Sequence, residues 1–147
     1  MANLRTWLGD DMEKVEYKDG YKHQLYETYI IEVGVSPSKD INTEYIDLTQ
    51  EGLLTIKKGY CWDGASGMTW DTPSCKRGSL VHDALYQLLR MDELDPLWRH
   101  QADYELKRIC IEDGMFKWRA KMWYRAVRVG ARKSSLPENK RKVITAP

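Results

Sequence analysis

A chain of 147 residues, 42% hydrophobic and 31% charged, has the length of one domain and enough apolar side chain for a core, which excludes a wholly disordered protein. Its longest apolar runs are only a few residues, which excludes a membrane-spanning helix, and Met1 to Asp11 hold no apolar stretch of leader length, so no secretory leader is expected. The net charge of +1 hides an asymmetry: Lys117 to Lys142 carry ten Lys or Arg against one acid, Glu138, a local +9 on a body of −8. A basic end of this kind suits a phosphate surface, an anionic lipid surface or an acidic neighbour, and equally a solvated helix face followed by a charged tail.

The first half reads as β. Val15 to Tyr17, the pair Asp19-Gly20 and Tyr21 to Val35 form a hairpin signal, because Asp-Gly tolerates the positive φ of tight hairpin turns. Alternation of Tyr29, Ile31, Val33 and Val35 predicts one buried face. Ser36 to Asp40 is a loop. Tyr45 to Leu48 and Leu53 to Lys57 predict a second strand pair around Gln50-Glu51-Gly52.

The second half reads as α. Leu80, Val81, Ala84, Leu85, Leu88 and Leu89 make one stripe of a helix over 78–90. Asp95-Pro96 opens a second helix, with a capping Asp and Pro at the first helical position; its stripe is Trp98, Ala102, Leu106 and Ile109, and Gly114 closes it. Phe116, Ala120, Trp123, Val127 and Gly130 share one face of a third. Trp118 and Met122 lie on its other side, so this helix is expected to be covered on both. The expected organisation is an α+β domain over 1–133, with antiparallel hairpins over about 13–60 and three helices over about 74–133, followed by a basic tail, 134–147. Cys61, Cys75 and Cys110 are odd in number and at no metal-ligand spacing; they are expected as reduced thiols of a protein made in a cytoplasm.

On the first helix His82, Asp83 and Tyr86 fall together away from the apolar stripe, with His82 and Tyr86 one turn apart. A solvated face would carry Lys, Glu or Gln, so this group predicts a face turned towards a second element. Asp103 sits at the edge of the next stripe, and antiparallel pairing of the two helices would bring it to the His82 ring. An Asp accepting from one imidazole nitrogen fixes the tautomer and leaves the other nitrogen as a base; the same residues would equally serve as a polar network pinning the helices. Gly59 to Gly67, with Asp63 and Ser66, is a loop able to offer carbonyls and a carboxylate to a hard cation, or a tight crossover that needs glycine. A metal-dependent His-Asp phosphohydrolase would need more histidines than His23 and His100 supply. No phosphate-cradling glycine loop and no Cys-x-x-Cys is present.

The runs Trp62-Asp63-Gly64-Ala65-Ser66, Val81-His82-Asp83-Ala84-Leu85-Tyr86, Ala102-Asp103 and Met122-Trp123-Tyr124-Arg125-Ala126-Val127-Arg128, over roughly residues 55–131, resemble the domain-of-unknown-function 1353 family. That family is found largely in phages and prophages. The resemblance implies a phage setting but no settled activity; with the charge asymmetry and the basic tail beside it, the expectation is a virion or tail component made in a host cytoplasm, acting by interaction with other particle proteins or copies of itself. Arg132, Lys133, Lys140, Arg141 and Lys142 would be the contact residues, an anionic lipid surface a further partner, and nucleic acid a lesser one.

More distantly, His82-Asp83-x-x-Tyr86, Asp103 and Trp123-Tyr124-x-Ala126-Val127 resemble prokaryotic phospholipase A2, an antiparallel helix pair that hydrolyses esters. That resemblance implies His82, Asp103 and Tyr86 as the catalytic set. Asp83, with Asp63 and Gly64 of the loop, would then form a Ca²⁺ site. The loop differs in sequence from the phospholipase loop, and no disulfides lock the helices here.

Overall fold

The structure, a computed structural model, describes residues 17–19, 23–62 and 73–137. Among the described residues seven short strands precede three helices, an α+β fold. The strands are β1 (Tyr17–Asp19), β2 (His23–Leu25), β3 (Tyr29–Glu32), β4 (Ile41–Asn42), β5 (Ile46–Leu48), β6 (Leu53–Ile56) and β7 (Cys61–Trp62). They form two antiparallel sheets, in the orders β1-β2-β7 and β3-β6-β5-β4. The helices are α1 (Pro73–Arg90), α2 (Arg99–Glu112) and α3 (Lys117–Gly130).

The alternation read from 29 to 35 is the core face of the larger sheet. Tyr29 lies opposite Ile56 and Ile56 opposite Ile46, while Ile31, Leu54, Leu48 and Ile41 make the next row, and all seven are buried. The hairpin predicted around Gln50-Glu51-Gly52 joins β5 to β6. Gly52 has φ +89°, and a Cβ there would stand 2.5 Å from the Val33 carbonyl oxygen, so only glycine fits.

The expected continuous strand Tyr21 to Val35 divides in two. β2 leaves with the small sheet, because the Leu25 backbone pairs with Gly59 and Tyr60 (both 2.8 Å), and β3 joins the large one. Gly20 of the expected turn lies outside the described residues.

α1 starts earlier than the apolar stripe predicts, at Pro73, where a missing N–H costs nothing. Its stripe residues Leu80, Val81, Ala84, Leu85, Leu88 and Leu89 are all buried against the sheets. Asp95 caps as expected, accepting from the Leu97 N–H at 2.9 Å, but the residues it caps form a short 3-10 turn, Pro96–Trp98, before α2 proper. Past α3 a second such turn, Lys133–Ser135, packs back on α1 with Ser135 buried.

Three polar ties fix α1 and α2 to each other and to the sheet. Arg77, buried on α1, donates from Nε and Nη2 to the Asp113 carboxylate (2.7–3.1 Å), from Nη2 to Glu112 (3.1 Å) and from Nη1 to the Tyr29 hydroxyl of β3 (3.2 Å). Glu105, buried on α2, accepts from the Gly34 N–H at 3.0 Å just past β3. Trp62, at the end of β7, donates its indole N–H to Ser79 at 3.2 Å.

The helix pair approaches tightly at Gly78, where a Cβ would meet the Cys110 sulfur at 2.8 Å and the Leu106 carbonyl at 3.2 Å. Cys75 and Cys110 are buried there and Cys61 is exposed, none of them in a disulfide; burial first, then the neighbouring Cys75, pushes the Cys110 thiol up to about 12. Gly78→Ala should therefore destabilise the protein. Alanine's helix propensity favours the change by about 1 kcal/mol, but overpacking against a backbone carbonyl costs about 1–3 kcal/mol. Urea denaturation should show a net loss; a variant more stable than the parent would contradict this account of the packing.

Candidate functional site

The contacts between α1 and α2 step in opposite chain directions: Arg77 meets Asp113, Gly78 meets Cys110, His82 meets Asp103, and Tyr86 meets both Asp103 and Arg99. The pair is antiparallel, and its register puts His82, Tyr86 and Asp103 at one level. Residues four apart on a helix lie on one face about 6 Å apart, so His82 and Tyr86 both reach the same carboxylate. Their rings are tilted against each other with centroids 4.2 Å apart.

Asp103 is completely buried. Its Oδ1 accepts from His82 Nε2 at 2.8 Å and from the Tyr86 hydroxyl at 2.6 Å. Its Oδ2 accepts from Arg128 Nη1 of α3 at 2.9 Å. Burial would raise the Asp103 carboxyl, but the hydrogen bonds from His82 and Tyr86, the His82 charge and the Arg128 hydrogen bond outweigh it and hold it below its ordinary value of 3.8. An ionised carboxylate only accepts, so His82 Nε2 carries a proton and, in the neutral ring, Nδ1 carries the lone pair.

Among the described residues no hydrogen bond shorter than 3.5 Å reaches Nδ1. The partly exposed Asp83 carboxylate stands 3.8 Å from it, a charge contact. Burial pushes the His82 imidazolium down, but the Asp103 and Asp83 carboxylates together raise it above 6.5. Burial, then the hydrogen bond to Asp103, raises the Tyr86 phenol far above its ordinary value, so Tyr86 is a fixed donor and not an acid or base at neutral pH.

Two residues that chain order alone does not assign complete the site. Arg128 is the third donor on Asp103. Arg99 donates Nε to the Tyr86 oxygen at 3.2 Å, and its Nη2 caps the last turn of α3 through the carbonyls of Val127 (3.2 Å) and Arg128 (2.7 Å). Arg99 thereby holds the end of α3 from which Arg128 reaches in. The signal for Arg128 was its place one turn after Tyr124 on the α3 face leading to α2, inside a run otherwise read as surface charge.

Of the calcium set, Asp83 is described, while Asp63 and Gly64 lie outside the described residues. Trp62, the last described residue before them in the chain, is anchored to Ser79, one turn from His82. Among the described residues no group of three or more His, Cys, Asp or Glu side chains converges on a metal. Arg132 and Lys133 are exposed beyond α3; Lys140, Arg141 and Lys142 lie outside the described residues. His100, exposed on α2, and His23, on β2 beside Lys76 and Trp62, stand apart from His82 in the fold.

No family model, curated protein or solved structure matches this chain.

The shifted groups set the pH dependence. His82 is raised on folding, so its stabilising contribution is complete below about pH 6.5 and is lost as pH rises through the higher folded value. Asp103 is lowered, so its contribution is present above about pH 3.8 and is lost as pH falls through the lower folded value. NMR titration of the imidazole should place His82 above 6.5, and Asp103→Asn should move it down, because burial then meets less opposition. The same change should cost about 3 kcal/mol, since an amide presents a donor where three donors converge. An unshifted His82 in Asp103→Asn would contradict the electrostatic assignment.

Proposed function

We propose that the chain is a hydrolase of carboxylic esters, with lipid esters the first class to test, in which His82 activates the attacking water. The observation that carries the reading is the orientation of the imidazole. Nε2 is committed to a buried carboxylate at 2.8 Å, and in the neutral ring Nδ1 keeps its lone pair, 3.8 Å from Asp83. A merely helix-pinning histidine would be served by bonding both nitrogens; this one keeps a base in hand.

In the reaction so inferred, Nδ1 and the Asp83 carboxylate, 3.8 Å apart, both reach one water beside them. Nδ1 takes a proton from that water as its oxygen attacks the ester carbonyl. The imidazolium that forms is stabilised through Nε2–H by Asp103, which stays ionised. Tyr86 and Arg128 hold the carboxylate in place. The tetrahedral intermediate then collapses, the C–O bond to the alcohol breaks, and Nδ1–H returns the proton to the leaving alkoxide. The products are an acid and an alcohol, and His82 is neutral again. The phospholipase likeness points to Ca²⁺ as the group that would steady the oxyanion when bound, with Asp83 supplying one of its oxygens.

The alternative of a particle component draws on the phage-family resemblance and the basic end. No contact among the described residues favours it over hydrolysis.

The test is turnover of a medium-chain ester and of phospholipid vesicles by the full chain, with calcium and with a chelator. Hydrolysis should follow the deprotonated fraction of His82, rising with pH through a value above 6.5. His82→Gln should lower the rate about 10²–10⁴-fold, the range of general base catalysis, with the helical circular-dichroism signal unchanged. No ester turnover by the parent chain in either condition, or turnover surviving in His82→Gln, would refute the reading.

A further inference from the structure

The third helix was expected to be covered on both sides, and it is covered on one. Ala120, Trp123 and Val127 pack with Leu106, Cys110 and Met115. The opposite side is open: Trp118 is 63%, Met122 58% and Val129 86% exposed, and Phe116, expected on the inner stripe, is 72% exposed just before the helix. At 100° per residue, Trp118, Met122 and Val129 fall within an arc of roughly 40°, an apolar ridge along the helix. Lys117, Lys121 and Arg125, all exposed, line one flank of that ridge, and Arg132 and Lys133 continue the charge past its end. Between Lys117 and Pro137 there are seven Lys or Arg and no acid.

We infer that this outer face of α3 is a docking surface for an anionic lipid bilayer, with the helix lying in the plane of the interface. The composition selects the occupant. Indole and phenyl rings settle at the headgroup level, Met and Val reach the acyl boundary, and the flanking ammonium and guanidinium groups meet lipid phosphates. No helix among the described residues is long and apolar enough to cross a membrane, so α3 lies on the surface. A second copy of the chain docked face to face would set Lys117, Lys121 and Arg125 against their own equivalents, a like-charge contact. A nucleic acid would use the bases and stack on Trp118, but it would leave the Met122 and Val129 part of the ridge in water. The inference goes beyond the hydrolytic reading and stands apart from it, since the ridge uses none of the side chains around Asp103.

The experiment is co-sedimentation of the full chain with phosphatidylglycerol/phosphatidylcholine vesicles and with phosphatidylcholine vesicles alone. Binding to the anionic vesicles should be at least tenfold stronger and should weaken with salt. The double variant Trp118→Ser/Met122→Ser should lose it at least tenfold, and Lys121→Gln/Arg125→Gln should lose the salt dependence. Both pairs are solvent-exposed, so urea midpoints should match the parent and show that the loss is not unfolding. His82→Gln should bind as the parent does, which separates failure of docking from failure of hydrolysis. Absence of binding to anionic vesicles, or binding retained by Trp118→Ser/Met122→Ser, would overturn the proposal. So would anionic-vesicle binding weaker than binding to DNA of equal phosphate concentration, or a dimer that the double variant disperses.

Discussion

A carboxylate taken wholly out of water must be met by donors or it will take up a proton, and Asp103 is met by three. His82 and Tyr86 come from α1, Arg128 from α3, and the acceptor itself from α2. One side chain thus fixes the mutual placement of all three helices. The net worth of such a cluster is small when it is complete and large and negative when one member is missing. The helix assembly is accordingly specified at that point more sharply than by apolar packing, which tolerates slippage of like-sized side chains.

The rest of the fold delivers that carboxylate to its donors. The rows of Ile, Leu and Tyr across the four-stranded sheet bury α1 along its apolar stripe, while Arg77 and Glu105 lock the helix pair to β3 and the residues just after it. Gly78 lets the helices approach closely. Arg99 then closes the arrangement by bonding the Tyr86 hydroxyl and the carbonyl end of α3 at once. The outcome is an imidazole whose ring orientation and tautomer are set by buried groups while Nδ1 stays beside Asp83. Order of this kind serves chemistry because little reorganisation is left for the reacting step.

Much of this is legible from spacing. Alternation found the buried face of β3, and helical periodicity found the six aliphatic residues that α1 buries between Leu80 and Leu89, though not Cys75 earlier on the helix. The His82-x-x-x-Tyr86 spacing with Asp103 on the following helix found the central contact, because a helix face is a function of residue number alone. The division of Tyr21 to Val35 between two sheets was hidden, since it depends on Leu25 pairing with Gly59 and Tyr60, far along the chain. Arg128 was hidden in a charge run, because only the antiparallel placement of α2 and α3 tells one inward arginine from its outward neighbours. Trp118 and Phe116 were misassigned for the converse reason. Large apolar side chains are normally core, and only the packed helix shows which of two apolar faces finds a partner.

The central claim is that Asp103 acts through His82, and a double-mutant cycle on ester turnover tests it most directly. If the carboxylate serves catalysis by orienting the imidazole, Asp103→Asn adds nothing once His82→Gln has removed the base, so the double variant turns over as slowly as His82→Gln alone. Losses that multiply in the double variant, with both proteins folded, would mean that Asp103 and His82 act independently and would contradict the account.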